Sequence, residues 1–122
     1  MNNDIERVLY STEEINAAED RLAKQINADY ADKKPLVVSV LTGAAPFSVD
    51  MFKKMTCYAQ LDFIDVSSYY GGTESTGTIK LIHDLKADLE GQDVLIMEDI
   101  VDTGRTLRYL VDLLGERGAN SV

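Results

Sequence analysis

Hydrophobic residues change their spacing repeatedly along this chain, and each change marks an element. Ser11-Thr12-Glu13-Glu14 has the form of a capping box, with Glu14 three residues after Ser11. It predicts a helix whose inward stripe is Ile15, Ala18, Leu22, Ile26 and Tyr30, ended by Asp32-Lys33-Lys34-Pro35. The near-continuous apolar run Leu36-Val37-Val38-Ser39-Val40-Leu41 then reads as a strand buried on both faces of a parallel sheet. Pro46 opens a second helix with Phe47, Met51, Phe52 and Met55 facing inward. Residues 58–66, 78–83 and 93–97 follow as strands, with residues 86–92 as a charged connection, and residues 4–9 predict a short strand ahead of the first helix.

Val94-Leu95-Ile96-Met97 is too short and too β-branched for an independent helix, whereas Leu107, Leu110, Val111 and Leu114 recur at helical spacing just downstream. Strands alternating with amphipathic helices predict an α/β fold, a mainly parallel sheet flanked by helices. Its ligands should lie at the carboxyl ends of the strands.

Composition narrows the class. A chain of 122 residues, 45% of them hydrophobic, suits one domain over residues 1–122. No stretch is long and apolar enough to span a membrane, and Met1-Asn2-Asn3-Asp4 lacks signal-peptide character, so a cytoplasmic protein with no membrane partner is expected. The net charge of -9 argues against nonspecific nucleic-acid binding, which demands clustered Lys and Arg. Cys57 is the single cysteine and forms neither an internal disulfide nor a Cys-x-x-Cys metal site; His83 is likewise the single histidine, with no ligand cluster around it.

The chemistry concentrates in Glu98-Asp99-Ile100-Val101-Asp102-Thr103-Gly104-Arg105-Thr106. Thr103, Gly104, Arg105 and Thr106 lie where a helix leaves its first backbone N–H groups unpaired, and Gly104 lets the chain bend tightly, so a phosphate fits there. The acids just ahead would repel a bare phosphate. They predict a ligand that adds a polyol, a developing positive charge or a metal, and a phosphorylated sugar supplies the first two.

This run resembles the phosphoribosyl pyrophosphate motif of the type I phosphoribosyltransferases: a strand, two acidic residues and an Asp/Ala/Thr-Thr-Gly-x-Thr/Ser loop. The resemblance implies that Thr103, Gly104, Arg105 and Thr106 hold a 5′-phosphate. It implies that Glu98 and Asp99 contact ribose hydroxyls and favour positive charge on the sugar. Mg²⁺ is the implied cofactor, assisting the leaving group, with Glu98 and Asp99 as weak and indirect metal-facing candidates. Adjacent strand residues point to opposite faces, so Glu98 and Asp99 are not expected to contribute equally. The third acid narrows the branch, because the family's 6-oxopurine enzymes carry aspartate there while the adenine and orotate branches usually carry Ala or Thr. Asp102 is then the catalytic residue, a general base for the purine ring proton, with a helix N-cap as its plain structural alternative.

Two further segments extend the resemblance. Residues 66–77 are similar to the mobile loop of hypoxanthine-guanine phosphoribosyltransferases, with Ser68-Tyr69 and Ser75-Thr76-Gly77 as the recognisable parts. Such a lid would keep water from an oxocarbenium-like ribose; an ordinary hairpin loop is the alternative. Thr42-Gly43-Ala44 matches the turn that holds pyrophosphate through backbone N–H groups, and the resemblance implies a cis Leu41–Thr42 peptide. Many relatives carry Lys where this chain has Thr42, so no direct charge contact is expected from this position. On composition alone Thr42-Gly43 is equally a plain strand-to-helix turn.

The function implied is purine salvage: transfer of 5-phosphoribose from phosphoribosyl pyrophosphate to hypoxanthine or guanine, giving IMP or GMP and pyrophosphate. The implied partners are those two substrates and further copies of the chain in a homo-oligomer. A regulator that senses phosphoribosyl pyrophosphate and binds RNA or DNA would share the fold, and Asp102 and the acidic balance weigh against it. Gly118-Ala119-Asn120-Ser121-Val122 reads as a helix stop followed by the start of another core strand. Relatives continue beyond it into the purine-recognition segment, so the expectation is an incomplete domain, weakly active or inactive alone.

Overall fold

The computed structural model describes residues 7–69, 78–101 and 103–122. They form α1 (Thr12–Asp29), β1 (Leu36–Val40), α2 (Ala45–Lys54), β2 (Gln60–Tyr69), β3 (Thr78–His83), β4 (Val94–Met97) and α3 (Arg105–Glu116). Most of the expected lid, residues 70–77, lies outside the described residues, as do Asp102 and the first part of the strand expected at residues 4–9.

The sheet has the order β3-β2-β1-β4. β1 runs parallel to both neighbours, with Val38 opposite Asp62 on β2 and Ile96 on β4, while β2 and β3 form an antiparallel hairpin. The sheet is therefore mixed, with a parallel centre and one antiparallel edge. All five residues of β1 are buried because helices cover both faces. Alternation sorts them: Leu36, Val38 and Val40 join Ile64, Val94, Leu110 and Leu114 beneath α3, and Val37 joins Ala23, Met51 and Met97 beneath α1 and α2. Phe47, Phe52 and Met55 pack against that second cluster, as the spacing of α2 predicts.

α1 starts as predicted, with Ser11 Oγ accepting the Glu14 N–H and Glu14 reaching back to Ser11 N–H. Its buried face differs from the predicted stripe. Glu19 and Ala23 are buried, Ile26 is half-buried, and Ile15 and Leu22 are 50% and 46% exposed. Polar ties to α2 set this rotation. Lys54 Nζ lies 2.6 Å from Asp20 and 3.7 Å from Glu19, and Asn27 donates to Lys54 O and accepts the Thr56 N–H. A stripe drawn from apolar residues alone misses partners supplied by another helix.

Residues 7–10 are not a strand, and Val8 and Leu9 lie exposed without a pairing neighbour among the described residues. β2 runs past the end of β1, so that Ser67, Ser68 and Tyr69 pair only with Lys80, Ile79 and Thr78. Ser68 and Tyr69, expected in the mobile loop, thus belong to the strand that leads to it; an antiparallel partner across the loop supplies backbone hydrogen bonds that local composition does not reveal.

Two side-chain clamps fix the connections behind the sheet. Buried Asp62 accepts the N–H groups of Phe63, Lys86 and Ala87 at 2.8–2.9 Å, holding the β3–β4 connection to β2. Arg117 donates two hydrogen bonds to Asp84, tying the end of α3 to the same connection. That bond holds the Asp84 carboxyl below its ordinary range. After α3, Ser121 bridges to Asp93 in parallel, the strand-like start expected there. Among the described residues no helix is long and apolar enough to cross a membrane. Cys57 is half-buried and His83 exposed, and among the described residues neither belongs to a metal-binding group.

Candidate active site

Neighbouring parallel strands deliver two loops to one end of the sheet. β1 runs into residues 41–44 and then α2; β4 runs into residues 98–104 and then α3. Since Ser39 on β1 pairs with Met97 on β4, the two loops emerge side by side. Each opens a helix whose first turn contains no acidic side chain, so the positive ends of two helix dipoles face this region despite the chain's net charge of -9.

The second loop encloses a cavity of about 260 Å³. Glu98 and the run Thr103, Gly104, Arg105 and Thr106 form one side, and Ser68 and Ile79, paired across the overhanging hairpin, form the other. Gly104 is the N-cap of α3 in a left-handed conformation, φ 82°, and no side chain caps the helix there. The bend aims the start of the helix into the cavity. Thr103 Oγ1 accepts the Arg105 N–H at 3.3 Å and steadies the turn. A helix start without a side-chain cap at Gly104 and with a hydroxyl on either side has the chemistry of an anion cradle.

Glu98 stands at the edge of this cradle and also borders an apolar hollow of about 410 Å³ formed with Ile26, Phe47 and Met51. Burial pushes its carboxyl above the ordinary range, and the neighbouring Asp99 adds to the effect. The Asp99 N–H donates back to Glu98 Oε1 at 3.1 Å, partly offsetting it. Asp99 keeps its carboxylate within side-chain hydrogen-bonding reach of Glu98 while also reaching the first loop. Its Oδ1 accepts the Ile100 N–H at 2.8 Å, and its carboxylate lies against Gly43 on the first loop. Glu98 lines the cavity, whereas Asp99 is not among its lining residues. Among the described residues no group of three His, Cys, Asp or Glu side chains could hold a metal alone, so an ion here would take one or two carboxylates and complete its shell from ligand and water.

The predicted site residues thus fall into two sets. Glu98, Thr103, Gly104, Arg105, Thr106 and Ser68 share one cavity. Thr42 and Gly43 are exposed beside it, linked to it by Asp99, and the Leu41–Thr42 peptide is cis. Asp102, between the two acids and the cradle, is outside the described residues. Ile79, Ile100, Val101 and Leu107 also line the cavity and were not among the predicted site residues. For Ile79 the signal was present, since a strand beginning at residue 78 must pair back across the loop onto the end of β2.

A mixed α/β sheet thus carries two adjacent acids and an uncapped helix start just past the end of β4, beside the loop that follows β1. The chain belongs to the phosphoribosyl transferase domain family, whose model matches residues 9–122. It is 52% identical over 122 residues to a bifunctional protein TilS/HprT of Listeria innocua, covering all of this chain and 19% of that protein. It is 48% identical to a hypoxanthine-guanine phosphoribosyltransferase of Streptococcus agalactiae, covering all of this chain and 68% of the relative. The crystal structure of a hypoxanthine phosphoribosyltransferase from Staphylococcus aureus superposes with a TM-score of 0.91 at 44% identity, over 99% of this chain and 66% of that one. The chain therefore spans about a fifth of the bifunctional relative and about two thirds of the single-function ones.

Proposed function

We propose that the protein is a purine-salvage phosphoribosyltransferase that moves 5-phosphoribose from phosphoribosyl pyrophosphate to hypoxanthine or guanine, giving IMP or GMP and pyrophosphate. The observation that carries this reading is a cavity that Glu98 lines together with residues 103–106. The reaction forms a bond from a purine ring nitrogen to the anomeric carbon of ribose and breaks the bond from that carbon to pyrophosphate. The leaving group takes the electron pair, and the ring proton must go to a base.

In this reading Thr103, Gly104, Arg105 and Thr106 hold the 5′-phosphate. Glu98 and Asp99 face the ribose hydroxyls, where their charge favours an oxocarbenium-like sugar. Asp102 takes the ring proton, Thr42 and Gly43 contact pyrophosphate through the backbone, and the hairpin carrying Ser68 and Tyr69 supports a lid that excludes water. Mg²⁺, when bound, would be held by Glu98 or Asp99, both hard oxygen donors, and would supply neutralisation of charge on the departing pyrophosphate. The protein works as a cytoplasmic homo-oligomer with no nucleic-acid or membrane partner.

The test is nucleotide formation by the full-length protein with Mg²⁺, phosphoribosyl pyrophosphate and hypoxanthine or guanine. IMP or GMP appearing together with pyrophosphate is the expected result. RNA binding without turnover would replace the enzyme with a metabolite-sensing regulator.

A further inference from the structure

Gly43 and Gly104 occupy equivalent places, each between a strand and a helix, yet they are glycines for opposite reasons. Gly104 has φ 82°, and a Cβ built on it would meet nothing within 4 Å. Gly43 is not among the glycines with positive φ, so its backbone accepts any residue; a Cβ there would collide with Asp99 Oδ2 and lie 3.1 Å from Asp99 Cγ. What occupies the space of a side chain at position 43 is the carboxylate of Asp99, 56 residues further along the chain.

We propose that Gly43 is a positioning residue: its missing side chain makes the berth in which Asp99 lodges, and through that berth the loops after β1 and β4 act as one unit. This rests on the phosphoribosyl pyrophosphate reading for its consequence, though not for its geometry. Asp99 is exposed and carries its carboxylate on a short side chain. A methyl group at position 43 would therefore be relieved by swinging Asp99 aside, which costs the fold little. The same swing breaks the 2.8 Å hydrogen bond from Ile100 N–H to Asp99 Oδ1 and removes the carboxylate from the place where the two loops meet. A packing role would make Gly43 matter to stability; a berth makes it matter to the ligand.

The experiment is a double-substitution cycle in the full-length protein, read by affinity for phosphoribosyl pyrophosphate with Mg²⁺, with pyrophosphate alone as a second probe. Gly43→Ala should weaken binding by about tenfold, the order of coupling that direct neighbours show. Asp99→Ala should weaken it comparably, and the combined variant no further, since removing the carboxylate also removes the collision. Asp99→Asn keeps the shape, so Gly43→Ala should still disturb that background. Losses that multiply in the combined variant would overturn the proposal, as would unchanged binding by Gly43→Ala. If Gly43→Ala fails to fold, Asp99 does not swing aside cheaply, Gly43 serves packing, and the proposal is overturned. If the parent protein binds neither probe, the functional reading fails on its own. The berth is then judged by the Ile100 amide resonance, which Gly43→Ala should shift and which, left in place, would refute it.

Discussion

The loops after β1 and β4 share a position in the fold and differ in what fixes them. The loop after β4 is defined by its own residues: Gly104 in the left-handed region, Thr103 Oγ1 on the Arg105 N–H, and α3 beginning at once. The loop after β1 is defined by its surroundings, for Gly43 has an ordinary backbone and is kept small by Asp99. A self-defined loop announces itself in sequence as a contiguous motif, whereas one defined by a neighbour does not.

The largest way to test the β4 loop is to remove the third of its acids. Asp102→Ala in the full-length protein should lower turnover by about 10²–10⁴-fold, the range for loss of a general base, while affinity for phosphoribosyl pyrophosphate stays near the parent value. Equal turnover would take Asp102 out of the mechanism. Next in size is the support beneath that loop. Leu110 is fully buried on the face of α3 against the sheet, so Leu110→Ala should cost about 2–5 kcal/mol by denaturant unfolding.

Gly104→Ala sharpens the comparison directly. With nothing within 4 Å of the new Cβ, its cost is the left-handed backbone alone, about 1–2 kcal/mol, and no substitution at a neighbouring side chain should rescue it. Gly43→Ala, by contrast, should be rescued by Asp99→Ala. A Gly104→Ala protein as stable as its parent would show that the turn is not held at positive φ.

The smallest expected effect concerns Glu98. Its carboxyl is raised by burial and by Asp99, so the folded protein holds this proton more tightly than the unfolded chain. Stability is therefore lost as pH rises from the ordinary Glu range, near 4.5, through the raised value, and the penalty persists above it. Glu98→Gln should raise the melting temperature at pH 7 and lose that advantage below the ordinary range. A gain of equal size at both pH values would mean that charge is not its source.

Much of the fold was legible in the sequence because local signals and tertiary structure agree there. The Ser11–Glu14 capping box forms, the apolar run of β1 is buried on both faces, and Leu110 and Leu114 form the inner face of α3. Legibility failed where a distant partner decided. α1 turns Glu19 inward because Lys54 on α2 reaches it, leaving Leu22 outside; Ser68 and Tyr69 are strand because Ile79 and Thr78 pair with them. The site divides in the same way. That residues 103–106 line one cavity follows from their adjacency at the start of α3, while Ile79 in the cavity and Asp99 against Gly43 come from pairing and strand order.

The most direct measurement supplies the full-length protein with phosphoribosyl pyrophosphate, Mg²⁺ and, in separate reactions, hypoxanthine, guanine and adenine, and follows nucleotide and pyrophosphate together. The account predicts equal amounts of both from hypoxanthine or guanine and little from adenine. Tight binding of phosphoribosyl pyrophosphate with no nucleotide from any base would contradict it.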